Sequence, residues 1–201
     1  MNELRSDMVD VGFALGGAEL AADHRRMLAQ VVEGLLPWLA GWPSAAVHRL
    51  KLVPGGAQGA LLSRRTRLTL RVPRERTGEV QALAGTQLML GAQSLSLGPA
   101  QLHELVPHNT LYAHLVAWPD ADEAAFLQAM ARELSDLGVA CRPICGLHQV
   151  VEGGALQGFS LMLDGLSAAH SLRVLESGLG PHRRLGCGVF VPHKSAAAVG
   201  S

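Results

Sequence analysis

The chain has 201 residues, of which 48% are apolar, and its 17 basic and 17 acidic side chains give a formal net charge of zero. This composition is typical of a globular protein with one ordinary domain or two small ones, and it excludes a disordered chain. No apolar run reaches the roughly 20 residues that cross a bilayer, and residues 1–7 lack the cationic start of a signal peptide, so we expect a cytoplasmic protein without a membrane partner.

The first half of the chain predicts the element order β-α-β-β-α-β. Apolar periodicity predicts strands at residues 8–16, 47–53, 61–72 and 87–97, and helices at residues 19–39 and 75–83. Pro37 does not fit the interior of a helix, so the regular part of the first helix should end near Leu36.

The same order recurs in the second half. It predicts strands at residues 111–118, 139–151, 156–163 and 189–191, and helices at residues 122–137 and 167–177. A doubled β-α-β-β-α-β order predicts an α+β fold of two tandem ferredoxin-like units with antiparallel sheets. The linker should fall near residues 99–109, which gives an N-terminal domain at 1–103 and a C-terminal domain at 104–201.

The third predicted strand is rich in arginine. Leu68 and Leu70 alternate there with Arg67 and Arg71, so the leucines should face the helices and the arginines the open face of the sheet. Three arginines, Arg65, Arg67 and Arg71, exceed what a merely solvated face needs, and they predict binding to RNA or another polyanion. RRM domains share this unit but stack bases on aromatic side chains, which this strand lacks, so phosphate contacts are expected instead.

A glycine-rich loop at residues 178–188 precedes the last predicted strand. Glycine permits positive φ and removes the Cβ that would block close approach, so such a loop can bring backbone N–H groups and cations to a phosphate. The simpler interpretation is a tight turn before a strand. The candidate RNA-binding residues of the loop are Gly178, Gly180, His182, Arg183, Arg184, Gly186 and Gly188.

The cysteines do not predict a disulfide framework or a metal centre. Cys141, Cys145 and Cys187 are odd in number and have no CxxC spacing, so we expect reduced thiols. Cys141, Cys145 and His148 together lack a fourth ligand for zinc. We therefore expect no metal and no cofactor.

These features together resemble one known family. The doubled unit, the glycine-rich loop with its basic residues and a histidine near the start of the first helix are similar to CRISPR-associated repeat-specific endoribonucleases of the RAMP superfamily, in particular the small Myxococcus-type subfamily. The loop is the most specific of the segments that carry the resemblance, which are residues 9–15, 23–24, 47–50, 63–73, 110–113, 158–163 and 178–194.

The resemblance implies metal-independent cleavage of CRISPR repeat RNA, which releases guide RNAs, by an enzyme that often stays bound to its product. The ribose 2′-hydroxyl would attack the adjacent phosphate and leave a 2′,3′-cyclic phosphate, so the protein must align the nucleophile, move protons and stabilise charge. The implied partners are the repeat RNA, the mature guide RNA and other subunits of a CRISPR effector complex.

Two of the nine histidines are candidate catalytic residues. His24 resembles the position where some family members carry a catalytic histidine on the first helix, although it could simply be a half-buried helix residue. His48 is its rival, because other members place the histidine at the end of that helix or in the loop that follows. Many members pair the histidine with a tyrosine or lysine, whereas here only Lys51 lies nearby.

Two alternative functions remain open at this point. A non-catalytic RNA-binding subunit of a CRISPR effector complex would keep the fold and the loop without cleaving RNA. A ferredoxin-like enzyme or sensor for a small metabolite would need a compact apolar pocket rather than a row of arginines.

Overall fold

A computed structural model describes residues 5–57 and 59–194. Its described residues form two compact units. The N-terminal unit comprises Met8–Glu104 together with the short segment Arg184–Gly186. The C-terminal unit comprises residues 5–7, Leu105–Arg183 and residues 187–194.

The N-terminal unit is a five-stranded antiparallel sheet with helices and a small second sheet. Its strands and helices are, in chain order, β1 Met8–Gly16, β2 Glu19–Ala21, α1 Arg25–Leu35, β3 Ala46–Val47, β4 Val53–Pro54, β5 Gly59–Leu61, β6 Arg67–Pro73, α2 Thr77–Gln81, β7 Gln87–Leu90 and β8 Gln93–Glu104. The main sheet has the order β3-β6-β1-β8-β7, and the small sheet has the order β2-β5-β4. Without β7, the main sheet has the strand order of a ferredoxin-like unit.

Strand alternation sets the core of this unit. Val11 and Phe13 on β1 and Leu68 and Leu70 on β6 are fully buried. β1 and β6 pair antiparallel, with Val11 opposite Leu70 and Asp10 opposite Arg71. Because successive side chains point to opposite faces, the apolar residues form the core and Asp10 and Arg71 share the other face.

The first helix is shorter than its periodicity predicts. It begins at Arg25 rather than at residue 19, because Glu19–Ala21 pairs with Gly59–Leu61 as a strand of the small sheet. Backbone pairing with a distant segment overrides the helical pattern there. Its end at Leu35 agrees with the stop expected from Pro37, which starts a short 3₁₀ helix.

Two other predictions in this unit are wrong in detail. The strand expected at residues 47–53 consists of two short strands, β3 and β4, in different sheets. The strand expected to start at residue 61 starts at Arg67, after a turn in which the backbone N–H of Ser63 donates to Thr66 Oγ1 over 2.9 Å. Local hydrogen bonds of serine and threonine thus compete with strand pairing.

The strand predicted at residues 87–97 is a hairpin whose second arm is longer than expected. β7 and β8 meet at Gly91, with φ of 61°. β8 then runs through Pro99 to Glu104, so the segment expected as a linker is partly strand. Pro99 lies where the register between β1 and β8 shifts, and such a bulge tolerates a residue without an N–H.

The C-terminal unit repeats the architecture closely as predicted. Its elements are β9 Leu111–Ala117, α3 Glu123–Asp136, β10 Arg142–Val151, β11 Leu156–Asp164, α4 Ala168–Ser177 and β12 Val191–Pro192. The sheet order is β10-β11-β9-β12, again ferredoxin-like. Asp122 and Ser167 cap α3 and α4 by accepting backbone N–H bonds. The predicted α+β fold of two such units is confirmed.

Two strand bounds of the C-terminal unit shift from the predicted ones. The strand expected from residue 139 begins at Arg142, and the last strand is Val191–Pro192 rather than residues 189–191.

Among the described residues, the helices are all too short or too polar to cross a membrane.

Candidate active site

His24 lies at the N-cap position of α1 and is buried. Its Nδ1 lies 2.9 Å from the carbonyl oxygen of Ala21 and 3.1 Å from that of Ala22. A carbonyl oxygen can only accept, so Nδ1 carries the proton and donates to both. In the neutral ring the lone pair is then on Nε2, which is the form needed to accept a proton from another group.

His48 follows β3 directly and lies beside β6. Its backbone N–H donates to the carbonyl oxygen of Thr69 over 2.9 Å, which continues the strand pairing by one residue. Its side-chain Nε2 lies 3.3 Å from Asp10 Oδ1, and both side chains are largely buried. The imidazole is therefore held against a carboxylate from another strand.

Asp10 also receives two hydrogen bonds from Arg71. Arg71 Nε and Nη2 donate to Oδ1 and Oδ2 over 2.8 and 2.9 Å, in the bidentate geometry typical of guanidinium and carboxylate. Burial alone raises the pKa of Asp10. The hydrogen bond from Arg71, the positive charge of His48 and the hydrogen bond from His48 outweigh that effect and hold the pKa well below its usual range. Asp10 is thus an anion at neutral pH.

The prediction that Arg71 lies on an open face is wrong. Its side chain is 1% exposed, and its guanidinium is bound to Asp10. Alternation on β6 correctly separates Arg71 from Leu70, but the face that carries Arg71 is closed at this position. The cross-strand carboxylate of Asp10, which the pattern of β6 alone does not reveal, is the physical reason for its burial.

Three residues of the glycine-rich loop belong to the N-terminal unit. Arg25 Nη1 on α1 donates to the carbonyl oxygen of Leu185 over 3.0 Å, and Arg184 Nε lies 3.0 Å from Glu33 Oε1. Gly186 has φ of 77°, and a Cβ there would lie 3.0 Å from the backbone nitrogen of Arg49. Glycine is needed at this position both for its conformation and for its close approach.

These parts meet at one small surface pocket. The pocket is bordered by the two candidate histidines, by cationic side chains from three segments and by apolar residues, namely His24, His48, Arg25, Arg49, Arg184, Leu28, Val47, Leu50 and Leu185. The structure thus brings together His24, His48 and Arg184, which the sequence singled out separately. Arg25 and Arg49 were not singled out, although each adjoins a candidate histidine in the sequence.

The rest of the glycine-rich loop is held by hydrogen bonds within the C-terminal unit. Arg183, expected to contact phosphate, is buried, and its Nη1 and Nη2 donate to the carbonyl oxygens of Gly188 and Glu176. The backbone N–H of Gly180 donates to Glu133 Oε2 over 2.8 Å, and that of Gly188 donates to a β9 carbonyl oxygen. The expectation that these groups face a phosphate is wrong because they form the turn itself.

Two further residues of the loop, His182 and Gly178, have different environments. His182 is exposed and has φ of 66°, a conformation uncommon for a residue with a side chain. Gly178 has φ of 64°, and a Cβ there would overlap the guanidinium of Arg183. Glycine is therefore required at this position for Arg183 to reach its hydrogen-bond acceptors. Of the loop candidates, Arg184 and His182 keep side chains available at least in part to solvent.

A cluster of exposed arginines lies at the turn before β6. Arg64, Arg65 and Arg67 are exposed, and Arg67 Nη1 donates to the carbonyl oxygens of Arg64 and Thr66 over 2.9 and 3.0 Å. Thr66 Oγ1 donates to the carbonyl oxygen of Lys51, which ties this turn to the segment after His48. Arg65 and Arg67 therefore lie at the surface, as expected for contacts to a polyanion.

Cys141 and Cys145 of the C-terminal unit are partly buried and form no disulfide bond. Burial raises the pKa of the Cys141 thiol. Burial and the charge of Glu123 raise the pKa of Cys145 to about 11. Among residues 5–57 and 59–194, no group of three or more His, Cys, Asp or Glu side chains is placed to hold a metal ion.

We expect the Asp10 pair to make stability fall at low pH. Its pKa is depressed in the folded state, so its contribution is present above the unfolded value of about 3.9 and is lost as pH falls through the folded value. Asp10→Asn should lower the free energy of unfolding at pH 7 by about 3 to 5 kcal/mol, because the buried charge of Arg71 loses the carboxylate that compensates it. Urea unfolding at pH 7, 5 and 3 measures both effects. If the free energy of unfolding falls equally between pH 7 and pH 3 in wild type and variant, Asp10 is not the source of the acid sensitivity.

The fold of this chain is similar to those of two solved structures. A solved structure described as a CRISPR-associated Cas6 protein superposes with a TM-score of 0.66 at 9% identity and covers 93% of this chain and 100% of its own. A structure described as a RAMP protein binding different RNA substrates gives 0.62 at 12% identity and covers 90% and 98%. At these identities the likeness shows the fold alone, which is that of two ferredoxin-like units.

Sequence comparison defines the family. The family model described as "Cas6 Crispr" matches residues 9–195. The CRISPR-associated endonuclease Cas6 of Myxococcus xanthus strain DK1622 is 38% identical over 196 residues, which are 96% of this chain and 85% of that protein. This chain belongs to the Cas6 family. The resemblance drawn from the sequence, to a CRISPR-associated endonuclease of Myxococcus type, is confirmed.

Proposed function

We propose that this protein acts in the cytoplasm as a metal-independent endoribonuclease, which cuts CRISPR repeat RNA to release guide RNAs. The observation that carries the proposal is the pocket where His24 and His48 meet three arginines. The 38% identity to a CRISPR-associated endonuclease supports the same activity. Imidazoles and guanidiniums can together supply the proton transfers and the charge stabilisation that cleavage by the 2′-hydroxyl needs.

His24 is the general base in this proposal. Its Nδ1 is committed as a donor to backbone carbonyl oxygens of residues 21 and 22, so Nε2 is the nitrogen that accepts a proton. His24 lies at the N-cap position of α1 and borders the pocket. A neutral imidazole at this position is suited to take the proton of the 2′-hydroxyl.

His48 is the general acid. Its Nε2 faces the ionised carboxylate of Asp10, which can only accept, so Nε2 donates and Nδ1 is the nitrogen that gives a proton to the leaving 5′-oxygen. A neighbouring carboxylate stabilises the imidazolium, the form that an acid must have. The two histidines thus divide the roles of base and acid by their environments.

The arginines of the pocket stabilise the charge of the phosphorane. Arg184 and Arg49 border the pocket on the loop and beside His48, respectively. Guanidinium groups present paired donors that match phosphate oxygens, and their charge is independent of pH in this range. The product is a 2′,3′-cyclic phosphate on one fragment and a 5′-hydroxyl on the other.

Cleavage in the presence of EDTA tests the proposal. The protein is incubated with the repeat RNA of its own locus in EDTA or in Mg²⁺, and the cleavage position is mapped. We expect the same single position and a similar rate in both. Cleavage that requires Mg²⁺ would contradict metal independence, and binding without cleavage would favour the non-catalytic subunit of an effector complex.

Product retention depends on the surface arginines in this proposal. Arg65→Ala and Arg67→Ala should each weaken RNA binding and reduce the slope of log affinity against log salt by about 1, because each removes one phosphate contact. Filter binding at several salt concentrations measures both quantities. Arg142→Ala, which removes an exposed arginine paired with Asp164 in the C-terminal unit, is the matched control. Equal affinity and slope in all three variants would remove these residues from the RNA surface.

A further inference from the structure

We infer that Asp10 is a positioning residue for RNA cleavage, which fixes the ring of His48, and that Arg71 holds Asp10 in place for this task. The inference rests on the proposed function, and it assigns a role to two residues that do not themselves border the pocket. Its basis is a hydrogen-bonded chain from Arg71 through Asp10 to His48.

Three adjacent strands build this chain. The sheet order β3-β6-β1 brings the end of β3, the end of β6 and the start of β1 side by side. Asp10 and Arg71 are direct cross-strand partners, and Ala46, two residues before His48, pairs with Arg71 from the other side. The relative positions of the three side chains therefore depend on strand register rather than on a mobile loop.

The carboxylate of Asp10 is shared unequally. Oδ2 accepts from Arg71 Nη2, whereas Oδ1 accepts both from Arg71 Nε and from His48 Nε2. The two bonds from Arg71 leave Asp10 little rotational freedom, so the bond to His48 selects one ring orientation and one tautomer. A histidine without this partner could present either nitrogen to the substrate.

Stability alone is a weak reason for this arrangement. Burying an ion pair costs desolvation of both charges, and apolar residues of similar volume are often as stabilising. Arg71 is 1% exposed, so its desolvation is nearly complete. A buried ion pair in contact with a histidine at a pocket is typical of a site where orientation and charge matter.

The charged groups around His48 should affect how the cleavage rate depends on pH. Asp10 faces the ring from β1, and Arg71 lies behind Asp10 on β6. His103 on β8 is the cross-strand partner of Asp10, and its exposed ring lies near Gly12 on the same face. Other titratable or charged side chains border the same pocket as His48, namely His24, Arg25, Arg49 and Arg184. Arg184 is paired with Glu33. Asp10 thus opposes several cations that would disfavour an imidazolium.

Two substitutions should move the basic limb of the pH–rate profile in opposite directions. Asp10→Asn removes the anion and leaves Arg71 positive, so His48 loses its proton more readily and the limb moves to lower pH. Arg71→Met removes the cation and leaves Asp10, so the limb moves to higher pH. Asp10→Asn should also slow single-turnover cleavage by about 10-fold to 100-fold, less than the loss of a whole acid–base group.

The experiment measures single-turnover cleavage of the repeat RNA from pH 5 to 9, with RNA affinity measured beside it. The variants are Asp10→Asn, Arg71→Met, His48→Ala and the double variant D10N/H48A. Glu104→Gln, which breaks the bidentate Arg74–Glu104 pair at the surface of the same sheet, is the matched control. We expect the basic limb of the pH–rate profile to move in opposite directions in Asp10→Asn and Arg71→Met, with RNA affinity unchanged. Adding Asp10→Asn to His48→Ala should cause no further loss of cleavage rate.

Specific outcomes overturn the inference. Additive losses in D10N/H48A, or equal limbs in all variants, would show that Asp10 does not act through His48. If Asp10→Asn fails to fold, the double variant D10N/R71M removes both charges without leaving Arg71 unpaired, and it should still cleave slowly compared with wild type. Absence of cleavage by the wild-type protein itself would instead contradict the proposed function.

Discussion

A repeat RNA with hydrogen in place of the 2′-hydroxyl at the cleavage site should bind to this protein and remain uncut. In the proposed reaction the 2′-oxygen is the nucleophile, so its removal leaves no attacking group, however well the pocket holds the phosphate. We expect no detectable product in single-turnover reactions, with RNA affinity within about twofold of the all-ribose RNA because phosphate contacts dominate binding. Gel analysis of labelled RNA measures the first quantity, and filter binding measures the second.

A deoxy substitution one nucleotide further along the same RNA is the control, and it should leave the rate nearly unchanged. The wild-type product should carry a 2′,3′-cyclic phosphate, which resists phosphatase until the ring is opened. Undiminished cleavage of the deoxy-substituted RNA would mean that water is the nucleophile, and the assigned roles of His24 and His48 would both be wrong.

His24→Ala should lower the single-turnover rate by about 10²-fold to 10⁴-fold, the contribution of one general acid–base group. The reason is structural: its Nδ1 donates to backbone carbonyl oxygens, so Nε2 is fixed as the acceptor beside the pocket. RNA affinity should remain nearly intact, because the ring accepts a proton rather than binding phosphate. His48→Ala should have a smaller effect, since water can protonate a leaving oxygen.

Rates under saturating enzyme, measured beside equilibrium binding, decide between the two histidines. His108→Ala, which changes an exposed histidine of the C-terminal unit, is the control and should cleave at the wild-type rate. If His24→Ala cleaves normally while His48→Ala does not, the principal role belongs to His48. If neither substitution matters, the protein fits a non-catalytic RNA-binding subunit better.

Much of the fold could be predicted because its cores depend on local patterns. Strand alternation at Leu68 and Leu70 and the helix starts predicted at residues 122 and 167 depend on neighbouring residues. The structure agrees with them, since the two helices begin at Glu123 and Ala168. Glu19–Ala21 could not be predicted as a strand, because its partner Gly59–Leu61 lies far along the chain. Pairing of that kind adds backbone hydrogen bonds that no local pattern records.

The candidate site likewise contains residues that the sequence reveals and residues whose environment depends on distant strand pairing. His24 and His48 could be selected from the sequence, because imidazole is the side chain suited to proton transfer near neutral pH. The burial of Arg71 could not, since it depends on the register that places Asp10 opposite it. Arg183 was likewise predicted as a phosphate contact, although its guanidinium is used inside the fold to hold the turn at Gly188.

The pocket of the N-terminal unit is completed by residues that the ribosome makes late. Met8–Glu104 contains both histidines, but the Arg184–Gly186 segment of the same unit follows only after the whole of Leu105–Arg183. Until Leu185 has been synthesised, Arg25 lacks the carbonyl oxygen to which it donates. A nascent or prematurely ended chain therefore has His24 and His48 without Arg184 and Leu185 of the loop. The pocket of this unit can therefore form only after the residues of Leu105–Arg183, which belong to the other unit, have been synthesised.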